Sequence, residues 1–302
     1  MNTAVKIAGV EFQNPIMEAS GTFGSGQEYS EFVDLNSLGA VVTKGVANVP
    51  WPGNPTPRIA EVSSGMLNAI GLQNPGVEVF CKRDLEFLKQ FPNTKVLVNV
   101  CGHSTEEYIE VVDRLAGENR VDMLEINISC PNVKAGGITF GTDPKNVEAI
   151  TKEMKKHAKQ PVIMKLSPNV TDIKEVAKAA EAGGADGISL INTLTGMKID
   201  VERQDFVLAN KTGGMSGPAV HPIAVRMVYE CANTVSIPII GMGGISTWED
   251  AVEMMLAGAT AISVGTANFY NPTATTDILA GLKEYMKRKQ INDVNDIIGI
   301  VK

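Results

Sequence analysis

One cysteine stands in a position to do chemistry. Residues 125–137 read EINISCPNVKAGG, so Cys130 follows a strand-like run and opens a loop that carries proline and glycines. Along 123–129, Leu124, Ile126 and Ile128 alternate with Glu125, Asn127 and Ser129, the period of a strand. Asn127 and Ser129 therefore share one face, and Cys130 sits where the strand runs out. A thiolate is a competent base, yet cysteine is also among the most buried residue types, so the stretch leans towards chemistry without proving it. Other residues end apolar or β-branched runs in the same way: Lys44, Lys165, Asn99, Asn127 and Asn192. Singly, each lysine reads as solvated surface and each asparagine as a turn residue. Together they offer cations, donors and acceptors suited to an anionic group or a planar imide or amide ring.

Those side chains need elements to bring them together. Short β-rich runs recur at PIMEAS (15–20), AVVTKG (40–45), KVLVNV (95–100), MLEINIS (123–129), VIMKLS (162–167), GISLIN (187–192), IPIIGMGG (237–244) and AISVGT (261–266). Helix-like segments lie between them. STEEYIEVVDRLA has Ser104 and Glu107 at capping-box spacing, STWEDAVEMMLAG repeats the pattern with Ser246 and Glu249, and TDIKEVAKAAEAGG stops on glycines. Alternating strands and helices imply parallel βαβ units, and eight strands imply a (β/α)₈ TIM barrel. VKIAGVEF, ahead of the first run, reads as a small N-terminal β-hairpin placed to cap the barrel floor. No linker or low-complexity segment divides residues 1–302, so we expect one domain.

Active sites of this fold gather at the C-terminal ends of the strands. Here those ends are Ser20-Gly21-Thr22, Lys44-Gly45, Asn99, Asn127 to Cys130, Lys165, Asn192-Thr193, Gly243-Gly244 and Gly265-Thr266. The three longest connections, roughly 46–76, 131–142 and 193–220, leave from the same rim, and loops of that length are usually functional. GMGGIS after the seventh strand and VGT after the eighth place glycine turns where this fold often holds a phosphate on backbone N–H groups; GGMSGPAV (213–220) adds a third. The Rossmann pattern is absent, since 241–246 read GMGGIS with serine last. A phosphate site, cations and amides beside a thiol suggest FMN with a small planar polar substrate, a lysine serving the N1–C2=O edge of the reduced ring.

Composition excludes other classes. With 27 basic against 34 acidic residues and a net charge of −7, a nucleic-acid surface is not expected. The cysteines, Cys81, Cys101, Cys130 and Cys231, are widely spaced, and His103, His157 and His221 join no recognisable ligand cluster. No metal site is expected. With no signal peptide and no long apolar span, a reduced cytoplasmic protein is the natural reading.

At this point the residues reach a family. GMLNAIGLQNPG (65–76), with INISCPN (126–132), ASGTFG (19–24), INTLTGM (191–197) and GMGGI (241–245), strongly resembles dihydroorotate dehydrogenase, and the match is close to the class 1B catalytic subunit. The resemblance covers essentially the whole chain. It implies FMN-dependent oxidation of dihydroorotate to orotate in pyrimidine synthesis, with Cys130 as catalytic base. It implies FMN contacts from Ser20, Lys44, Gly45, Asn99, Asn127, Lys165, Ile191, Gly217, Gly243, Gly244, Gly265 and Thr266. The substrate site it implies is lined by Lys44, Asn68, Ala69, Ile70, Gly71, Leu72, Asn127, Asn192 and Thr193. The 68–72 loop rests on the resemblance alone.

The reaction removes a proton from C5 and a hydride from C6 of the substrate, and a positioned base contributes ~10²–10⁴-fold to such a step. Gly136 and Gly137 would let 131–142 move as a lid. Class 1B resemblance further implies a second subunit that carries FAD and a [2Fe–2S] cluster and reduces NAD⁺, in a heterotetramer of two catalytic and two electron-transfer chains. This chain has neither a Rossmann fingerprint nor a clustered four-cysteine set. The alternatives are a class 1A-like homodimer that reduces fumarate and a non-catalytic flavin-binding scaffold.

Overall fold

The computed structural model describes residues 1–129 and 141–301. Cys130 and most of the expected lid, including Gly136 and Gly137, lie outside the described residues.

The eight anticipated runs form eight parallel strands in a closed barrel: Ile16–Glu18, Ala40–Val42, Lys95–Val100, Met123–Asn127, Val162–Lys165, Gly187–Leu190, Ile239–Met242 and Ala261–Val264. Each pairs with its neighbours in chain order, and the eighth closes on the first through Ile262↔Ile16, Ser263↔Met17 and Val264↔Glu18. The strands are buried throughout the fourth to eighth positions, which is why they read as apolar runs rather than strict alternation.

Helices Thr105–Leu115, Pro144–His157, Ile173–Ala182, His221–Ala232, Trp248–Leu256 and Ala274–Lys289 cover the barrel. The first crossover departs from the ideal repeat: only two short 3₁₀ turns, Tyr29–Glu31 and Leu35–Ser37, join the first and second strands. Ser104 caps its helix as expected, accepting from the Glu107 backbone N–H, but the Glu107 carboxylate reaches back to His103 N rather than to the cap itself. The second cap is corrected by one residue. Thr247, not Ser246, is the N-cap, and Asp250, not Glu249, closes the box. Both pairs have the required spacing; in the observed register Trp248 begins the helix, packing against Gly281 and lying tilted to Tyr285 of the last helix at 5.6 Å.

Val5–Ile7 and Val10–Phe12 form the expected hairpin, with Ala8 and Gly9 both at positive φ as a two-residue turn of this kind requires. Val5, Ile7 and Phe12 join the main core.

The long connections after the second and sixth strands are not loose. Ile59–Val62 and Gly65–Asn68 form a hairpin, and its second strand pairs with Thr212–Ser216, which pairs in turn with Leu194–Met197. This four-stranded antiparallel sheet ties two rim loops from opposite parts of the chain. Gly214 must lack a side chain here, because a Cβ would come within 1.9 Å of the Thr193 hydroxyl.

Candidate active site

The barrel mouth and the sheet above it enclose a cavity of about 370 Å³. Its wall has two kinds of surface. On one side lie the turns after the first, seventh and eighth strands together with Gly217. Gly217, Gly243 and Gly244 have φ of 104°, 130° and 69°, a backbone that L side chains rarely adopt. A Cβ on Gly243 would meet Ala224 at 2.6 Å, and one on Gly244 would meet the Gly217 carbonyl at 2.8 Å. The turns are therefore both conformationally specified and packed from behind. Ser20, Gly265, Thr266 and Ser216 share this side, and the Thr266 hydroxyl donates to Ser216 Oγ at 2.8 Å.

On the other side the wall is built from strand-end side chains. Asn192 Nδ2 donates to Ser129 Oγ at 2.8 Å, and Ser129 Oγ donates to Asn127 Oδ1 at 3.1 Å. Asn127 Nδ2 donates to Asn99 Oδ1 at 3.2 Å, and Asn99 Nδ2 donates to a Glu125 carboxylate oxygen at 2.5 Å. Lys165 Nζ lies 3.4 Å from the same oxygen, and Ser189 Oγ donates to the other at 2.7 Å. Tyr108 OH supports the arc from outside, donating to the Asn127 carbonyl at 2.7 Å.

A third element closes the top. Asn74 holds the preceding loop: its Nδ2 donates to the Leu72 carbonyl, and its Oδ1 accepts from the backbone N–H of Ala47 and Gly76. Trp51 stacks on His103 with ring centroids 3.9 Å apart, pinning the same loop to the barrel. Asn68, Ile70, Gly71 and Leu72 consequently face the cavity.

Of the residues picked from the sequence, Ser20, Lys44, Asn68, Ile70, Gly71, Leu72, Asn127, Lys165, Ile191, Asn192, Thr193, Gly217, Gly243, Gly244, Gly265 and Thr266 line this one cavity. Gly45, Asn99 and Ala69 stand behind its wall. Asn99 is buried and meets the cavity wall through Asn127 and, by way of Glu125, Lys165, while Gly45 packs against Asn99 and Leu72. Ala69 is fully buried in a small core with Ala60, Leu67 and Leu208 under the rim sheet. Glu125 and Ser189 were not picked. Period two already put Glu125 on the face of Asn127, which is the signal that could have found it.

The fold also assembles what the sequence scatters. His221 Nδ1 lies 2.9 Å from the Gly243 carbonyl and Nε2 lies 3.1 Å from Glu253 Oε2, with Asp250 near enough for the three side chains to form a compact cluster behind the glycine turn. The described cysteines take the inert role. Burial pushes the Cys81 thiol up to about 11 and the Cys231 thiol up to about 12, and Cys101 is buried beside Trp51. Among the described residues no helix is long and apolar enough to cross a membrane.

The site is thus the mouth of a closed eight-stranded parallel barrel, with shaped glycine turns on one side and a cation-amide arc on the other. The family model described as Dihydroorotate dehydrogenase matches residues 2–286. The chain is 69% identical over 302 residues, the whole of both chains, to the protein of Lachnoclostridium phytofermentans named Dihydroorotate dehydrogenase B (NAD(+)), catalytic subunit. Proteins of the same name from Alkaliphilus oremlandii (62% over 298 residues, 99% of this chain and 98% of the relative) and Thermoanaerobacter pseudethanolicus (51% over 302 residues, 100% and 99%) are similar along their full lengths. The chain belongs to the dihydroorotate dehydrogenase family.

Proposed function

We propose that this chain oxidises (S)-dihydroorotate to orotate in pyrimidine synthesis and delivers the electrons to NAD⁺ through a partner subunit. The observation that carries the reading is the full-length 69% identity to a catalytic subunit named for that reaction and acceptor. The cavity supports it chemically, because its two walls fit the two ends of FMN. Gly217, Gly243, Gly244, Gly265 and Thr266 would hold the phosphate on a backbone that a Cβ at any of the first three would drive against Gly65, Ala224 or the Gly217 carbonyl. Lys165, Lys44 and Asn127 would hold the ring, with cations and amides suited to its imide edge.

Bound there, FMN supplies the two-electron acceptor for the hydride that leaves C6. The chain's own residues do the rest. Asn68, Asn127, Asn192 and Thr193 would orient the substrate's carbonyl, amide and carboxylate groups over the ring, and Lys44 would offset its charge. Cys130 would take the C5 proton as its thiolate, the form in which a cysteine acts as a base. The loop at 68–72, held from behind by Asn74, excludes water from the reacting face. We further propose a cytoplasmic heterotetramer of two such chains, each a single barrel domain, and two partners carrying FAD and a [2Fe–2S] cluster.

The test is anaerobic. The purified chain should be yellow, bleach on addition of dihydroorotate, and turn over with a dye acceptor while reducing NAD⁺ negligibly until the partner is added. A colourless chain, or a yellow one that dihydroorotate does not bleach, removes the enzymatic reading. Efficient turnover with fumarate instead would make it a class 1A-like enzyme.

A further inference from the structure

One heavily hydrogen-bonded polar group of the barrel is a residue the sequence did not single out. Glu125 is fully buried on the fourth strand, does not line the cavity, and accepts from three side chains at once. Its donors come from the third, fifth and sixth strands: Asn99, Lys165 and Ser189. A carboxylate only accepts, so it dictates the direction of everything hydrogen-bonded to it. Asn99 must turn its NH₂ towards Glu125, which presents its Oδ1 to Asn127. Asn127 must then donate through Nδ2, which leaves its Oδ1 to accept from the Ser129 N–H and hydroxyl. The Ser129 hydroxyl, having donated, accepts from Asn192. One buried charge thus sets the amide orientations along an arc that ends on the cavity wall. It also sits 3.4 Å from the ammonium of Lys165, a buried cation of that wall.

We propose that Glu125 is the positioning residue of the redox site: it fixes the Asn99 and Asn127 amides and holds and compensates the Lys165 ammonium, so that the bound flavin is harder to reduce than the lysine alone would make it. The proposal rests on the flavin reading above. Its physical basis is that a cation beside the ring's imide edge favours the anionic reduced form, and a carboxylate paired with that cation withdraws part of the effect. Buried pairs feel little screening, so the influence persists at physiological salt.

The experiment is a spectroscopic redox titration of the flavin in the purified chain against a reference dye, without dihydroorotate. Glu125→Gln keeps the shape and removes the charge. It should shift the two-electron equilibrium towards the reduced flavin about tenfold or more, a rise of about 30 mV. Ser189→Ala removes a neutral donor to the same carboxylate and should leave the potential at the parent value. A parent potential in Glu125→Gln overturns the proposal, as does an equal rise in Ser189→Ala, which would mean general loosening of the arc. Should Glu125→Gln fail to fold, Glu125→Asp keeps the charge but retracts it from Lys165. A smaller rise then supports the proposal, and no rise overturns it. Absence of flavin from the parent chain would instead remove the reading on which the proposal rests.

Discussion

The two walls of the cavity achieve specificity by opposite means. The wall of glycine turns is specified by backbone: Gly217, Gly243 and Gly244 adopt positive φ, and neighbouring atoms occupy the space a side chain would need. The facing wall is specified by side chains, a directed run of hydrogen bonds from Asn192 to Glu125 anchored by a buried carboxylate. A backbone wall presents N–H groups that carry no titratable charge and suit a ligand group that stays the same throughout a reaction. A side-chain wall can place a cation, an amide and a base at separate points, which suits a ring whose charge changes. The division predicts that changes to one wall alter retention of the ligand, and changes to the other alter its reactivity.

The largest effect should come from Cys130→Ala. The variant should hold FMN normally yet lose roughly 10²–10⁴-fold in the rate of flavin reduction by dihydroorotate, measured by anaerobic stopped flow. Cys130→Ser should be slow and improve towards alkaline pH, because a hydroxyl is a far weaker acid than a thiol of pKa ~8.5. Near-parental reduction in the alanine variant would remove the base from this position. Iodoacetamide provides a check on the same chain, since Cys81 and Cys231, with thiols pushed up to about 11 and about 12, should label far more slowly than Cys130.

Next is the backbone wall. Gly244→Ala puts a Cβ 2.8 Å from the Gly217 carbonyl and from His221, at a φ of 69°. Such strain costs about 1–3 kcal/mol, so FMN dissociation should be roughly ten- to a hundredfold easier by fluorescence titration, while flavin that remains bound keeps its potential. A changed potential with unchanged retention would break the division between the walls. Lys165→Met sharpens it from the other side. Removing the cation should disfavour the reduced flavin by about tenfold, a fall of about 30 mV, opposite in sign to the change at Glu125.

The same contrast explains what was legible in the sequence. Each barrel strand announced itself as a short apolar run, because parallel strands buried on both faces need little else, and the polar residues that end those runs fell on one rim. The pairing of Asn127 with Ser129 followed from period two. Glu125 was on the same face, but only closure of the barrel, which brings Asn99, Lys165 and Ser189 around it, distinguishes it. The 68–72 loop carried no physical signal. Its place depends on Gly65–Asn68 pairing with Thr212–Ser216, a contact between distant parts of the chain that local periodicity does not encode. The His221, Asp250 and Glu253 cluster was invisible for the same reason.

The smallest effect on flavin chemistry should come from Glu18, a buried acid at the end of the first barrel strand that belongs to neither wall. Its carboxyl accepts from Asn268 Nδ2 at 2.6 Å behind the barrel, and burial raises its pKa from the ordinary 4.5 to about 8, against a weaker opposing pull from the neighbouring Thr275 and Asn268 side chains. A folded-state pKa above the unfolded value means that the folded chain keeps this proton where the unfolded chain has lost it. The stability it contributes is complete below about 4.5 and is lost as pH rises towards about 8, at up to roughly 1.4 kcal/mol per pH unit. Glu18→Gln preserves the size and the acceptor to Asn268 but does not titrate. Urea midpoints of parent and variant should therefore be similar near pH 5 and diverge towards pH 8, with the variant the more stable, while flavin potential and reduction rate match the parent at every pH. Parallel curves would show that Glu18 is already ionised in the folded chain. A shifted potential would show that the glycine wall and the strand behind it are electrostatically part of the redox site.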